Sequence, residues 1–342
     1  MKRIIRISLL ITLIGFISQT AFSQNKIDEK GRKQGVWSKL DKKGNKIYQG
    51  NFKDDYEVGV FTYYYEDGKT IKAKTEYSDK GKFANTKLFN KEGVVISDGF
   101  YKNRKKDSLW NLFDAKGKKI GEERYSNGLK SGQSNYWDKD AVLVETSNYK
   151  NDLKNGIYFK NTYAKGYFYL TFKDDKRNGP YEDFYYYQKL KIKGTYKEDK
   201  KEGEWKYFDS IGNNVKIQVW KNDVLKSEKV RIDFGRDAKY IETKDIAYFY
   251  PTGKRLKLVL FNAEEISCIN NIEEFIDILS VDDFILLNGK MKFYAHLKAL
   301  KGIGNKVGEE YEILLQPKMQ SKLLSDKDSR QALELLFTKQ DF

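Results

Sequence analysis

Residues 203–212 read Gly203-Glu204-Trp205-Lys206-Tyr207-Phe208-Asp209-Ser210-Ile211-Gly212, and this stretch is one copy of a repeated unit. The same frame recurs upstream, always with a small residue at the first position, which we call the anchor. The eight anchors are Gly35, Gly59, Ala84, Ser108, Gly132, Gly156, Gly179 and Gly203. Successive anchors are 23 to 25 residues apart. A fixed period of this size is the signature of a repeat architecture.

Aromatic residues mark two further positions of the repeat. The residue two positions after the anchor is aromatic in six of the eight copies, and the exceptions are Thr86 and Ser134. A second aromatic follows 16 to 18 residues after every anchor, in a chain that is only 15% aromatic. These later residues are Phe52, Tyr77, Tyr101, Tyr125, Tyr149, Phe172, Tyr196 and Trp220. Such regularity predicts rows of aromatic side chains shared between neighbouring copies.

Turn residues separate the two aromatic positions. A glycine lies nine residues after the anchor in five copies, and in three of them the turn reads Asp-x-x-Gly, ending at Gly44, Gly117 and Gly212. Asp at the first turn position bonds to backbone amides ahead of it, and Gly at the fourth tolerates positive φ. Polar links such as Lys53-Asp54-Asp55 close each copy. The pattern predicts one β-hairpin and one polar turn per repeat.

These features predict a mainly β fold. A lone hairpin is marginally stable, so about eight stacked hairpins would form an elongated single-sheet solenoid over residues 24–226. A small α+β region over residues 227–342 would follow as a capping or binding domain. Copies three, five and six depart from the pattern near Thr86, Ser134 and Lys165. Irregular sheet is expected at these three places.

Beyond Lys226 the period ends and aliphatic residues increase in frequency. Residues 246–261 read as a divergent ninth hairpin, and residues 271–279 have the apolar spacing of a short helix. Buried strands are predicted at residues 284–287 and 311–315. A capped helix is predicted at residues 331–337.

The repeat is similar to a known family. The Gly-x-Trp-x-Tyr-Phe-Asp-x-x-Gly pattern, closed by Trp220-Lys221-Asn222-Asp223 in the last copy, resembles the MORN-type repeat. It resembles more narrowly the bacterial variant often labelled as a YwqK-family antitoxin. The resemblance covers residues 28–223. It implies an array of β-hairpins used to bind partners or membrane surfaces.

The N-terminus has the composition of a secretory signal peptide. Basic residues at Lys2, Arg3 and Arg6 precede the apolar run Ile7–Ile17, and Ala21-Phe22-Ser23 forms a small-x-small cleavage site. Cleavage after Ser23 would export the protein to the periplasm or outside the cell, with no transmembrane span left. The alternative is an uncleaved N-terminal anchor.

The chain is basic, with a formal net charge of +15. Most of its cations are lysines interleaved with acids, which is typical of solubilised turns and protected strand edges. Arginine, the usual reader of phosphates and bases, is scarce, so nucleic acid is not an expected partner. The expected partner is a protein or an envelope component, with a glycan or anionic lipid as alternatives. The sequence leaves the oligomeric state open.

No catalytic motif is present, and the chain contains only one cysteine, Cys268, and one histidine, His296. We therefore expect no catalytic residues, no metal site, no cofactor and no enzyme activity. The predicted function is that of an exported scaffold for protein or envelope binding through an aromatic and lysine surface. Its candidate binding residues are Trp37, Tyr63, Trp110, Tyr185, Trp205 and Tyr207. The alternatives are an enzyme or ligand site in the C-terminal domain, and antitoxin-type partner binding as the resemblance implies.

Overall fold

The computed structural model describes residues 25–279, 283–307, 310–319 and 323–326. The predicted signal peptide and the helix predicted at residues 331–337 lie outside the described residues. The protein is mainly β, and its repeats form an open antiparallel sheet of about twenty strands. The chain divides into two compact units, of which the first ends at Leu129 and the second begins at Lys130.

The first unit is a meander in which each strand pairs antiparallel with the next. Its strands are β1 (Lys26–Ile27), β2 (Lys33–Leu40), β3 (Lys46–Lys53), β4 (Tyr56–Tyr64), β5 (Ile71–Ser78), β6 (Phe83–Phe89), β7 (Val95–Lys102), β8 (Lys105–Phe113) and β9 (Lys119–Ser126). The short strand β10 follows at Leu129–Lys130.

The second unit continues the same pattern from β11 to β20. Its sheet strands are β11 (Gly132–Trp137), β12 (Leu143–Lys150), β13 (Leu153–Asn161), β14 (Tyr167–Lys173), β15 (Lys176–Phe184), β16 (Leu190–Lys197), β17 (Lys200–Phe208), β18 (Asn214–Lys221), β19 (Val224–Asp233) and β20 (Ala238–Glu242). The predicted succession of hairpins is confirmed.

The polar links between repeats are tight two-residue turns. Both residues of such a turn have positive φ, as at Asp54 (54°) and Asp55 (69°), and at Asn222 (52°) and Asp223 (65°). This conformation matches the right-handed twist of the flanking strands, and Asn and Asp adopt it more readily than most residues. The Asn and Asp residues that close each repeat are therefore a consequence of backbone geometry.

The sheet remains paired where irregularity was expected. In copy three, β5 and β6 pair without a register shift from Ala73 to Ser78. Copy five has a single shift after Tyr136, at the repeat position where most other copies have one. In copy six a 3₁₀ turn at Tyr163–Lys165 replaces the glycine turn, and Gly166 (φ 103°) closes it. Pairing therefore continues through all three copies, but copies five and six depart from the regular pattern, because the first strand of copy five is interrupted between β10 and β11 and copy six has a 3₁₀ turn in place of its glycine turn.

The C-terminal region is a small α+β structure in the second unit. Five strands form an antiparallel sheet in the order β23-β22-β21-β25-β24, and a separate hairpin pairs β26 with β27. These strands are β21 (Ile246–Thr252), β22 (Arg255–Leu260), β23 (Glu265–Cys268), β24 (Phe284–Asn288), β25 (Phe293–His296), β26 (Leu300–Val307) and β27 (Glu310–Leu315). Helix α1 spans Ile272–Ile278 and is capped by the Asn271 side chain. The predicted hairpin, short helix and strands are confirmed.

An aliphatic core joins the last repeat strands to this region. Val230 and Ile232 of β19 are fully buried, and they belong to one cluster with Phe249 and Phe275. The rings of Phe249 and Phe275 meet edge to face with centroids 5.1 Å apart. Inside the second unit, the end of the sheet is therefore covered by apolar side chains.

Candidate interaction surface

A cation lies over the aromatic rows in most repeats. The residue two positions before the anchor is Lys or Arg in seven of the eight copies, the exception being Glu57. Lys201 Nζ lies 4.6 Å from the ring centroids of both Trp205 and Trp220. Such cation–π contacts contribute about 0.5–1 kcal/mol each at exposed sites. These lysines are therefore already engaged within the protein.

The backbone of the same cationic residue is held by the next turn. The Lys33 amide donates to the Asp55 carboxylate at 2.8 Å, and the Lys154 amide donates to Asp175 at 2.6 Å. Each bond joins residues 21 or 22 positions apart and links successive repeats. In copies one, five, six, seven and eight, the backbone amide of the cationic residue thus ties the repeat to the next turn.

The largest rings lie on strand glycines. A β-carbon at Gly99 would lie 2.2 Å from the Trp110 ring, and one at Gly194 would lie 2.2 Å from the Trp205 ring. Trp110 is 0% exposed and Trp205 is 2% exposed. The prediction that these two tryptophans form a binding surface is therefore wrong, because each ring packs against the backbone of the neighbouring strand.

The other four predicted residues are half-buried and bonded within the protein. Trp37 Nε1 donates to the Lys26 carbonyl at 3.2 Å. The hydroxyls of Tyr63 and Tyr77 are 2.8 Å apart, and burial raises the pKa of Tyr63 well above its ordinary value. The structure therefore distributes the predicted residues among separate internal contacts.

Tyr207 and Tyr185 also bond to neighbouring strands. The Tyr207 hydroxyl donates to Gln218 Oε1 at 2.6 Å, and burial raises its pKa to about 12. The Tyr185 hydroxyl donates to the Phe208 carbonyl at 2.9 Å. Both side chains fix the spacing of adjacent repeats.

Four large hydrophobic side chains are exposed at hairpin tips of the second unit, and two of them, Tyr186 and Ile211, are the most exposed of the described repeats. Tyr163, Tyr186, Tyr187 and Ile211 are 53%, 73%, 53% and 74% exposed, respectively. They occupy the tips of copies six, seven and eight, and we call these four residues the tip strip. In copies one to five, nine of the ten equivalent residues are charged. This change was not among the predicted features, although the sequence carries it seven and eight residues after each anchor.

Aromatic contacts orient the tip strip. The rings of Tyr185 and Tyr187 stack with centroids 5.4 Å apart and planes 4° from parallel. Because Tyr185 is bonded to Phe208, this stack holds Tyr187 in place. The Tyr163 hydroxyl donates to Asp138 Oδ2 at 3.1 Å. Two of the three exposed tyrosines are thus held in position before any partner binds.

A cavity of about 490 Å³ lies beside the tip strip, between the tip of copy eight and helix α1. Tyr185 and Ile211 line one side of it. Arg231 and Asp233, which form an ion pair at 2.8 Å, line the other side. Exposed apolar tips next to a partly polar cavity are typical of a protein-binding surface.

The histidine and the acidic side chains do not assemble into a metal site in the described part of the chain. No group of three or more His, Cys, Asp or Glu side chains within it has a geometry that could hold a metal ion. His296 is buried between the rings of Phe261 and Phe284, and its Nδ1 accepts from the Lys298 amide at 3.1 Å. Burial lowers the pKa of His296. Its contacts are those of a structural residue.

Comparison with known proteins identifies no family. No family model and no curated protein matches the chain. Among solved structures, the LytTr DNA-binding domain of a Bacillus cereus methyl-accepting/DNA response regulator has 13% identity, with 33% of this chain and 97% of that chain covered and a TM-score of 0.27. The Tc holotoxin pore of Photorhabdus luminescens has 12% identity, with 70% and 13% covered and a TM-score of 0.14. These scores are too low to assign a fold or a function.

Among the described residues, none of the helices combines the length and the apolar character that a membrane crossing requires.

Proposed function

We propose that the protein is an exported, non-enzymatic scaffold that binds a protein partner through the tip strip. The observation that carries the proposal is the exposure of four large hydrophobic side chains on three successive turns. Charged residues occupy nearly all the equivalent tips of the first five copies. Large exposed apolar side chains grouped on neighbouring turns are typical of an interaction site, and tyrosine provides a large contact area at low entropic cost.

The engaged lysines favour a protein over an anionic lipid or a glycan as the partner. In six copies the cation two positions before the anchor lies over an aromatic ring, as Lys106 does at 4.3 Å from the Trp110 centroid, so these charges are partly engaged within the protein. The tip strip instead offers apolar and phenolic contacts, which are enriched in protein interfaces. The similarity of the repeats to the MORN type supports the same class of function.

Site-specific photo-crosslinking of the full-length protein tests this proposal. A photoreactive phenylalanine analogue would replace Tyr186 in one variant and Lys42 in the other, because both residues occupy the same tip position in different copies. We expect a discrete crosslinked partner from position 186 and none from position 42. Equal crosslinking from both positions, or from neither, contradicts the proposal.

A binding measurement with the purified partner then tests the named side chains. The triple variant Tyr186→Ala, Tyr187→Ala, Ile211→Ser should weaken binding at least tenfold, whereas Lys42→Ala with Lys43→Ala should change it less than twofold. Unchanged affinity in the triple variant contradicts the role of the tip strip.

Export is tested separately by cell fractionation and N-terminal sequencing. Protein recovered outside the cytoplasm should begin at Gln24 if the leader is removed after Ser23. Recovery only in the cytoplasm, with Met1 or Lys2 as the first residue, contradicts export.

A further inference from the structure

A second cavity lies on one face of the sheet in the first unit, and it belongs to neither the tip strip nor the aromatic rows. Its volume is about 420 Å³, within the range of about 300–1,000 Å³ that is common for ligand pockets. Thr75 and Thr86 are buried beneath it, with their hydroxyls 3.0 Å apart. Tyr77 and Tyr101 stand on either side.

The preceding repeat shows what occupies the same place elsewhere. In copy two the Phe61 ring lies edge to face against Phe52 at 5.2 Å and against Tyr77 at 5.1 Å. Tyr48 and Tyr63 flank it at 5.9 Å and 6.4 Å. The Phe61 ring is thus held by four aromatic rings, of which Phe52 and Tyr77 are the residues that follow 16 to 18 positions after the anchors of copies one and two.

Copy three keeps the edges of this arrangement without the central ring. Thr86 stands at the position of Phe61, Ala73 at that of Tyr48 and Leu88 at that of Tyr63. The two later aromatics, Tyr77 and Tyr101, remain on either side. The cavity therefore has the outline and the ring contacts of a missing aromatic side chain.

The floor of the cavity is a built feature. Phe61 lies over Gly50, where a β-carbon would come within 2.4 Å of the ring. The residue equivalent to Gly50 is Thr75, which is 6% exposed and bonded to Thr86. Thr75 and Thr86 therefore form the base of the cavity. Together they replace the glycine and the aromatic ring that pack against each other in copy two as Gly50 and Phe61.

The charges at the rim of the cavity are paired. Lys82 Nζ lies 3.7 Å from Asp79 Oδ2 and 5.1 Å from the ring centroid of Phe83. Arg104 Nη2 lies 2.8 Å from Glu57 Oε1. These two cations and two carboxylates carry no net charge together, so the rim suits an uncharged aromatic ring.

We propose that this cavity receives an aromatic side chain of a partner polypeptide. The ring would lie between Tyr77 and Tyr101. This site is separate from the tip strip and does not depend on it.

Methyl-labelled NMR of the full-length protein provides the test. The probe is acetyl-Trp-amide, its matched control is acetyl-Ala-amide, and methyl β-glucoside represents a carbohydrate. The tryptophan probe should shift the Thr75 and Thr86 methyl signals and give intermolecular NOEs to the Thr86 methyl group. Absence of these effects, equal effects from acetyl-Ala-amide, or tighter binding of the glucoside would overturn the proposal.

A filled-cavity variant makes the test quantitative. Thr75→Gly with Thr86→Phe copies the Gly50–Phe61 pair and should weaken probe binding at least tenfold. Lys87→Ala, on the opposite face of the same strand, should change it less than twofold. If circular dichroism shows that the filled variant is folded and its probe binding is unchanged, the proposal is overturned. If the filled variant does not fold, the presence or absence of NOEs in the natural protein decides. Probe binding should also persist in the tip-strip triple variant, so failure here and failure of the proposed function are distinguishable.

Discussion

Replacing Gly99 with threonine should displace the Trp110 ring from its place on the sheet. The ring is fully buried, its centroid lies 4.9 Å from that of Tyr101, and its Nε1 donates to the Phe100 carbonyl at 3.1 Å. A β-carbon at residue 99 would lie 2.2 Å from the ring, whereas non-bonded carbons sit about 3.5–4.0 Å apart. The ring must therefore move by more than about 1 Å.

The expected cost follows from two measured classes of substitution. Overpacking costs about 1–3 kcal/mol, and complete loss of a buried tryptophan side chain costs about 3–5 kcal/mol. Because the ring is displaced but not removed, we expect Gly99→Thr to lower the local free energy of opening by about 3 kcal/mol. Hydrogen exchange of β7–β9 amides measures this quantity without assuming that the whole array unfolds in one step.

A double-mutant cycle isolates the contact between the two residues. In the Trp110→Thr background, Gly99→Thr recreates the Thr75–Thr86 pair of the preceding repeat, and the clash is absent. There the substitution should cost less than about 0.5 kcal/mol, because threonine is the better strand residue. We expect a coupling energy of about 2–3 kcal/mol. Equal costs in the two backgrounds would refute the reasoning.

Three further predictions concern charged and titratable groups. The Thr70 hydroxyl and the Lys69 and Thr70 amides donate to the Asp67 carboxylate and lower its pKa from 3.8 to about 2. The stability that this carboxylate contributes should be fully present above about pH 4 and lost as the pH falls through 2. A midpoint near 3.8 in a carboxyl NMR titration contradicts this prediction. Lys201→Met keeps the aliphatic stem of the side chain but removes a cation that lies over two rings. The substitution should lower the free energy of local opening of β17–β19, measured by hydrogen exchange, by about 1 kcal/mol. An unchanged opening free energy contradicts this prediction. Cys268 is fully buried, and burial raises the pKa of its thiol. Its reaction with an aromatic disulfide at pH 8 should be at least about 100-fold slower in the native than in the denatured protein, and similar rates contradict burial of the thiol.

The repeat fold could be predicted from sequence because its determinants are local. The polar pairs such as Asn222-Asp223 adopt the positive φ values that a two-residue link requires. The Asp-x-x-Gly turns, such as the one that ends at Gly212, place Asp where it accepts backbone amides. The turn identities and the period together indicate a chain of hairpins, and no long-range contact needs to be known.

The fate of individual rings could not be predicted in the same way, because it depends on the residue across the strand. Trp110 is buried because Gly99 lies beneath it, and Trp205 is buried because Gly194 does. A signal existed, since each glycine precedes its ring by eleven residues, as Thr75 precedes Thr86. When the residue across the strand is not considered, these tryptophans are predicted to be available for binding.

The tip strip was missed for a different reason. The run Phe184–Tyr187 suggests an aromatic cluster, but sequence does not show that Tyr185 turns back to bond Phe208 while Tyr186 remains 73% exposed. Comparison of all eight tips reveals the change from charged to apolar residues after copy five. Alignment of the copies by turn position is therefore more informative here than aromatic content.

The bonds from turn aspartates to the preceding repeat have an evolutionary consequence. Lys33 is held by Asp55 and Lys154 by Asp175, and these bonds join residues about one period apart along the chain. An in-frame duplication or deletion of 24 codons inside such an array would supply or remove donors and acceptors in matched pairs. The number of copies can then change during descent while the joints between them stay intact. Single copies such as the third are also free to diverge, provided that both members of a matched pair change together.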